Sequence, residues 1–176
     1  MIEILHSAND SDGTLRVQLP AEADTEVLGA ALAKILIPGL KIWLQGDLGS
    51  GKTTLTRGLL RELGHEGKVK SPTYTLIEPY VLSRLDLYHF DFYRFNSPEE
   101  YPEAGLDEYF AGDGVCVVEW PDKAAPYLTQ PDLEVRLSPA GGGRRAEIFG
   151  HTEAGLRCAN EMNKALEGAP RASAPE

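Results

Sequence analysis

Residues 46 to 54 read GDLGSGKTT. Gly46, four further residues, then Gly51-Lys52-Thr53 fit the phosphate-binding pattern G-x-x-x-x-G-K-[ST]. Glycines allow backbone N–H groups to approach a phosphate with no Cβ in the way. A helix beginning at Lys52 would add the partial positive charge of its N-terminus. In such a loop the lysine reaches the β- and γ-phosphates, and the hydroxyl of Thr53 is offered to Mg²⁺. A magnesium site also needs carboxylates. Asp91 follows LYHF and Glu119 follows VCVV, so each stands at the carboxyl end of an apolar run. In open α/β sheets, ligands sit beyond the carboxyl ends of the parallel strands. Both acids face the phosphates if their strands neighbour the loop strand; otherwise each is a solvated strand terminus. His89 and Asp91 have the spacing of a metal-ligand pair, but with four histidines and no His/Cys cluster beside them a zinc site is not expected. His89 is expected to pack or to support a neighbour.

These residues need a strand before the loop, a helix after it, and further strands to carry the acids. Residues 41 to 45, KIWLQ, are a short apolar strand. After the loop, Leu55, Leu59 and Leu63 share a helical face, and Gly64 closes the helix. Upstream, residues 2 to 5 resemble a strand and residues 14 to 19 alternate as a strand does. Val27, Leu28, Ala31, Leu32, Ile35 and Leu36 recur at helical spacing, with Asp24 or Thr25 as the cap and Pro38-Gly39 as the stop. Downstream, residues 73 to 80 and 85 to 90 predict a hairpin. SPEEYPEAGLDEYF is helical with interruptions at Pro102 and Gly105. Residues 115 to 118 form a continuous apolar run, as a strand buried on both faces requires. Residues 133 to 137 and 146 to 149 predict a last hairpin around AGGG, and residues 151 to 167 a C-terminal helix. Residues 168 to 176 read as a disordered tail. This order predicts an α/β fold, a single P-loop NTPase domain over residues 1 to 150, with a mixed, mostly parallel central sheet flanked by helices.

The chain has 176 residues, 42% of them hydrophobic and 25% charged, which suits one globular domain. Its net charge of -10 argues against an unaided grip on nucleic acid, which calls for a positive surplus. No run reaches the roughly 18 apolar residues of a membrane span, and the first residues lack a basic-then-apolar signal. A soluble, cytoplasmic protein with no membrane partner is expected. Cys116 and Cys158 make no disulfide framework, and Cys116 reads as a small buried residue.

A P-loop alone is shared by GTPases, kinases, ATPases and motors. The guanine-reading sequence Asn-Lys-x-Asp is missing; NKAL at Asn163 has Leu166 where the aspartate belongs. No arginine cluster of the kind small kinases use in their lids is evident, and Arg144-Arg145 reads as a solvent-facing pair in a hairpin turn. Four stretches taken together are more specific: GDLGSGKTTLTRGL at 46–59, SPTYTL at 71–76, LYHFDFYR at 87–94 and VVEWPDK at 117–123. In this order and spacing they resemble the TsaE family, once called YjeE, over about residues 15 to 150. Tyr74 stands where many members have phenylalanine, and Ser50 where alanine is common. Neither departure touches the chemistry.

The resemblance implies the ATPase component of the bacterial machinery that makes threonylcarbamoyladenosine at position 37 of tRNA. It implies ATP and Mg²⁺ as cofactors, and TsaD and TsaB as protein partners, with tRNA contacted only through their complex. Gly46, Asp47, Leu48, Gly49, Ser50, Gly51, Lys52, Thr53 and Thr54 would hold the phosphates. Thr53, Asp91 and Glu119 would hold the metal, and Lys52, Glu119 and Thr73 would serve catalysis. Trp120 would lie beside the nucleotide, although by residue type a core position is equally open. Tyr93 and Arg94 would hold the segment around Thr73 or meet a partner. Hydrolysis is expected to be slow alone and faster with partners. Two competing readings remain at this point: a small-molecule P-loop kinase, and a nucleotide-binding assembly factor without useful hydrolysis.

Overall fold

A computed structural model describes residues 1–8 and 13–168 of the chain; the expected tail from residue 169 onward lies outside the described residues. The strands are β1 (Glu3–His6), β2 (Thr14–Leu19), β3 (Lys41–Gln45), β4 (Ile77–Val81), β5 (Asp86–Asp91), β6 (Val115–Glu119), β7 (Leu133–Ala140) and β8 (Gly143–Gly150). The helices are α1 (Glu22–Ile35), α2 (Lys52–Glu62), α3 (Glu100–Glu103), α4 (Asp107–Ala111) and α5 (Glu153–Glu167). All of these strands join one sheet, in the order β1-β2-β8-β7-β3-β6-β5-β4.

The sheet is mixed. β3 pairs in parallel with β6 and β7, and β5 pairs in parallel with β6. The pairs β1–β2, β2–β8, β7–β8 and β4–β5 are antiparallel. The expected parallel character therefore belongs to the centre of the sheet rather than to its whole width. Short connections can join only antiparallel neighbours, so the hairpins add their strands at the flanks.

Alternation along the central strands divides the core. Ile42, Leu44, Val115 and Val117 face an aliphatic cluster completed by Leu28 and Leu32 of α1, Leu55, Leu59 and Leu60 of α2, and Cys158, Ala159 and Met162 of α5. Cys116 and Val118 face the other way, into an aromatic cluster with Phe90, Phe92, Phe95 and Tyr101. β6 is buried along its whole length, as its unbroken apolar run requires. Burying an apolar side chain of this size is worth about 1.5–3 kcal/mol, and β6 does so on both faces. Helix α2 is held close to α1 by two glycines: a Cβ on Gly29 would lie 2.1 Å from the Leu55 carbonyl oxygen, and one on Gly58 2.1 Å from that of Glu26. That contact sets how closely the helix following the glycine loop packs on α1.

Three local expectations are corrected. Helix α1 starts after Ala21, not at Asp24 or Thr25; the Asp24 carboxylate instead accepts the Ala21 N–H at 2.9 Å, one arm of a capping arrangement. Val27 is 51% exposed and lies outside the buried face. The strand expected from residue 73 begins only at Ile77, because Leu76 takes a left-handed backbone (φ 67°) and its N–H is tied to the Pro72 carbonyl. Among the described residues no helix is long and apolar enough to cross a membrane.

Candidate functional site

The glycine loop joins the end of β3 to the start of α2. Gly51 has φ 106°, a left-handed conformation that costs glycine little and lets the chain turn into Lys52. The Ser50 N–H donates to the Asp47 carbonyl at 3.0 Å, so the loop closes on itself and the first N–H groups of α2 are left without helical partners.

Lys52 is buried. Its Nζ donates to the Gly46 carbonyl at 2.6 Å, lies 4.1 Å from the centre of the Trp120 ring, and stands 3.9 Å from Glu119 Oε1. Burial pulls the ammonium below its usual pKa, and the charges of Glu119, Asp91, Asp47 and Asp122 oppose that shift without cancelling it.

Strand pairing brings the two acids together. In the parallel β5–β6 ladder Asp91 is opposite Glu119, and in the β3–β6 ladder Leu44 is opposite Glu119. The carboxylates thus meet at the end of the strand that feeds the loop. Both are buried and firmly held. His89 Nε2 lies 2.7 Å from Glu119 Oε2, which accepts its N–H and also accepts the Ser71 hydroxyl at 3.2 Å. The Ser71 hydroxyl is also in hydrogen-bond contact with Asp91 Oδ2. Asp91 Oδ2 further accepts the Thr73 hydroxyl at 3.3 Å, and Asp91 Oδ1 accepts the Tyr93 N–H at 2.9 Å. Burial pushes the Glu119 carboxyl up, but the His89 hydrogen bond, the charges of His89 and Lys52 and the Ser71 hydroxyl outweigh it, and the pKa lies below its usual value.

A pocket of about 280 Å³ opens over this arrangement. Leu48, Gly49, Ser50, Gly51, Lys52, Thr53 and Thr54 line it on the loop side, and Ser71, Thr73, Asp91, Glu119 and Trp120 line it on the other. Gly46 and Asp47 border an adjoining recess of about 200 Å³ that shares Lys52 and Trp120. Trp120 therefore lies against the pocket, half-buried, with a left-handed backbone (φ 56°) unusual for so large a residue. Its ring packs on Lys52 and, at 5.1 Å between centres, on Tyr93. Arg94 turns elsewhere and stacks on Tyr74 at 4.0 Å, tying residues 71 to 76 to the chain after β5.

Two residues escape sequence reasoning. Ser71 stands in the SPTY stretch, but nothing in its type separates it from an ordinary loop serine. Arg144 is not a solvent-facing turn residue: it lines the pocket, and its guanidinium donates to the Gly49 carbonyl at 3.0 Å. No local pattern announces a contact across 95 positions.

A larger cleft, about 500 Å³, is lined by Pro38, Arg84, Tyr88 and Tyr109 together with Asp86, Glu108 and Asp113. Its cation, Arg84, already donates to the Leu36 carbonyl, and no glycine loop borders it. Of the two, the smaller pocket alone combines free helix N–H groups, a lysine and paired carboxylates. Those groups suit a polyphosphate with a hard divalent cation. Thr53, Asp91 and Glu119 fit Mg²⁺, which is held by one or two carboxylates plus substrate phosphates rather than by an all-protein cage. No group of three or more His, Cys, Asp or Glu residues able to hold a metal occurs among the described residues.

Known proteins share this chain's sequence and fold. The family described as "Threonylcarbamoyl adenosine biosynthesis protein TsaE" matches residues 19–146. A protein of Haemophilus influenzae named tRNA threonylcarbamoyladenosine biosynthesis protein TsaE is 40% identical over 147 residues, covering 81% of this chain and 93% of that protein. A Bacillus subtilis protein of the same name is 41% identical over 126 residues, covering 72% of this chain and 78% of that protein. The crystal structure of Bacillus subtilis YdiB superposes with a TM-score of 0.76 at 30% identity, over 94% of this chain and 98% of that one.

Proposed function

The chain belongs to the TsaE family, and from that premise we propose that it binds and hydrolyses ATP with Mg²⁺ as a component of tRNA threonylcarbamoyladenosine biosynthesis, acting with TsaD and TsaB. The observation that carries the chemical part is the meeting of Lys52, Asp91 and Glu119 in one pocket with the glycine loop. The names of the relatives support the pathway.

In this reading the loop N–H groups and the start of α2 bind the phosphates, and Lys52 neutralises charge on the β- and γ-oxygens. Asp91, Glu119 and Thr53 would hold Mg²⁺, which when bound supplies further charge neutralisation at those oxygens. Water attacks the γ-phosphorus in line, the bond to the β–γ bridging oxygen breaks, and ADP and phosphate leave. Thr73, on Asp91, orients the water or the metal shell. Electrostatic positioning can account for catalysis of this kind without a dedicated general base. The net charge of -10 favours contact with tRNA through partner proteins rather than directly.

The test is ATP hydrolysis by the purified chain, alone and with its matched TsaD–TsaB pair. Stimulation by the pair, abolished by Lys52→Ala, is the expected result. ATP binding without stimulation, together with phosphorylation of a small metabolite, would replace this reading with that of a kinase.

A further inference from the structure

We propose that Arg144 is a second phosphate-binding cation of the pocket, delivered to the glycine loop by the β7–β8 hairpin, and that it holds the phosphates common to ADP and ATP. The inference rests on the reading of the pocket as a nucleotide site and adds a residue from outside the strand–loop–helix unit.

Three observations carry it. The first is placement. Arg144 lies near the start of β8, paired with Leu19 on one side and Pro139 on the other, so its backbone is fixed between two strands. From there its side chain lies across the loop: a Cβ on Gly51 would sit 2.9 Å from its Nε and 3.0 Å from its Cδ. Gly51 is thus the residue where the chain turns into α2 and also where the arginine passes over it.

The second is the state of the guanidinium. Among the described residues it makes one hydrogen bond, to the Gly49 carbonyl, and has no carboxylate partner. Of the other arginines, Arg16, Arg57 and Arg136 are ion-paired, whereas Arg61 and Arg84 likewise donate to backbone carbonyls, but away from the loop. A guanidinium carries five N–H donors in a planar fork suited to phosphate oxygens, and most of those on Arg144 remain available. The Gly49 contact holds the fork beside the loop without neutralising its charge.

The third is charge balance. The charged residues lining the pocket are Lys52, Asp91, Glu119 and Arg144. Lys52 is already flanked by Glu119. Without Arg144 the lining carries one net negative charge, an unfavourable surrounding for a polyphosphate; with it the lining is neutral before any metal enters. Because Arg144 reaches Gly49 and Gly51 rather than Asp91 or Thr73, its partners are the phosphates seated in the loop, not the terminal one alone.

Affinity for ADP and for ATP, measured by calorimetry together with the rise in melting temperature that each nucleotide produces, tests the proposal. Arg144→Gln should weaken both nucleotides by about tenfold or more, the usual scale for losing a charged hydrogen bond, and leave the nucleotide-free melting temperature unchanged. Arg145→Gln removes the same charge from the exposed neighbouring residue and should alter affinity less than twofold. Wild-type affinity in Arg144→Gln would overturn the assignment, as would an equal loss in Arg145→Gln. If Arg144→Gln lowers the nucleotide-free melting temperature, Arg144→Lys and Arg144→Ala decide instead: the lysine variant should bind both nucleotides more tightly than the alanine variant, and equal affinities would overturn the proposal. If the wild-type chain binds neither nucleotide, the reading of the pocket itself fails.

Discussion

The two walls of the pocket are built on different plans. The loop wall is contiguous, residues 46 to 54, and offers mainly backbone groups on a helix N-terminus. The carboxylate wall is assembled from side chains on separate segments: Ser71 and Thr73 from the chain before β4, Asp91 from β5, Glu119 from β6. The loop wall depends on what is absent, the Cβ atoms of its glycines. The other depends on hydrogen bonds that aim each oxygen, with Glu119 Oε2 taken by His89 and Ser71 while Oε1 faces Lys52. A backbone site thus tolerates side-chain change at its non-glycine positions other than Lys52 and Thr53, whereas a side-chain site is sensitive to the loss of single donors behind it.

Lys52→Ala should break the contrast most, because it removes the buried cation at the centre of the loop wall. Turnover should fall by about a thousandfold or more, with most phosphate affinity, in a steady-state ATPase assay and a binding titration. Retained turnover would remove Lys52 from the site. Glu119→Gln should separate the walls: ADP binding without added metal stays near wild type, while Mg²⁺-dependent turnover falls by about a hundredfold. Full activity in that variant would refute the metal-site role.

His89→Leu sharpens the comparison from behind. It leaves a buried carboxylate short of a donor, which should cost about 1–3 kcal/mol in denaturant unfolding. The pH dependence follows from the sign of the Glu119 shift. Its folded pKa lies below the ordinary 4.5, so the stability it contributes is present above that value and is lost as pH falls through the lowered one. Without His89 the effect of burial gains weight, and the loss should begin at higher pH. An acid-unfolding curve unchanged by His89→Leu would contradict the support role. The smallest effect is expected from Thr73→Ala: hydrolysis slowed several-fold, with ADP affinity unchanged. Equal weakening of ADP binding would show that Thr73 acts on the loop side instead.

The loop wall is legible in the residues alone, and for a physical reason. A strand, a glycine turn and a helix start are local objects, and KIWLQ, GDLGSGK and the Leu55/Leu59/Leu63 face encode them within two dozen residues. Asp91 and Glu119 are readable as strand-end acids, yet only conditionally, because nothing local states that β6 lies between β3 and β5. Thr73 reads as the start of a strand, but its hydroxyl turns to Asp91 and the strand begins only at Ile77. For Trp120, residue type leaves core and pocket equally open; its left-handed backbone sets the ring against Lys52.

By itself, then, the sequence determined the loop, the helix behind it, the hairpins, the doubly buried strand and the family resemblance, since each rests on short-range spacing or on motif order. Only the tertiary structure decided that the two carboxylates lie side by side, that His89 and Ser71 aim them, and that Arg144 reaches the loop from the far hairpin. Those contacts are set by strand order and register. Which strands become neighbours is decided by burying both faces of the whole sheet at once, a choice that no single segment encodes.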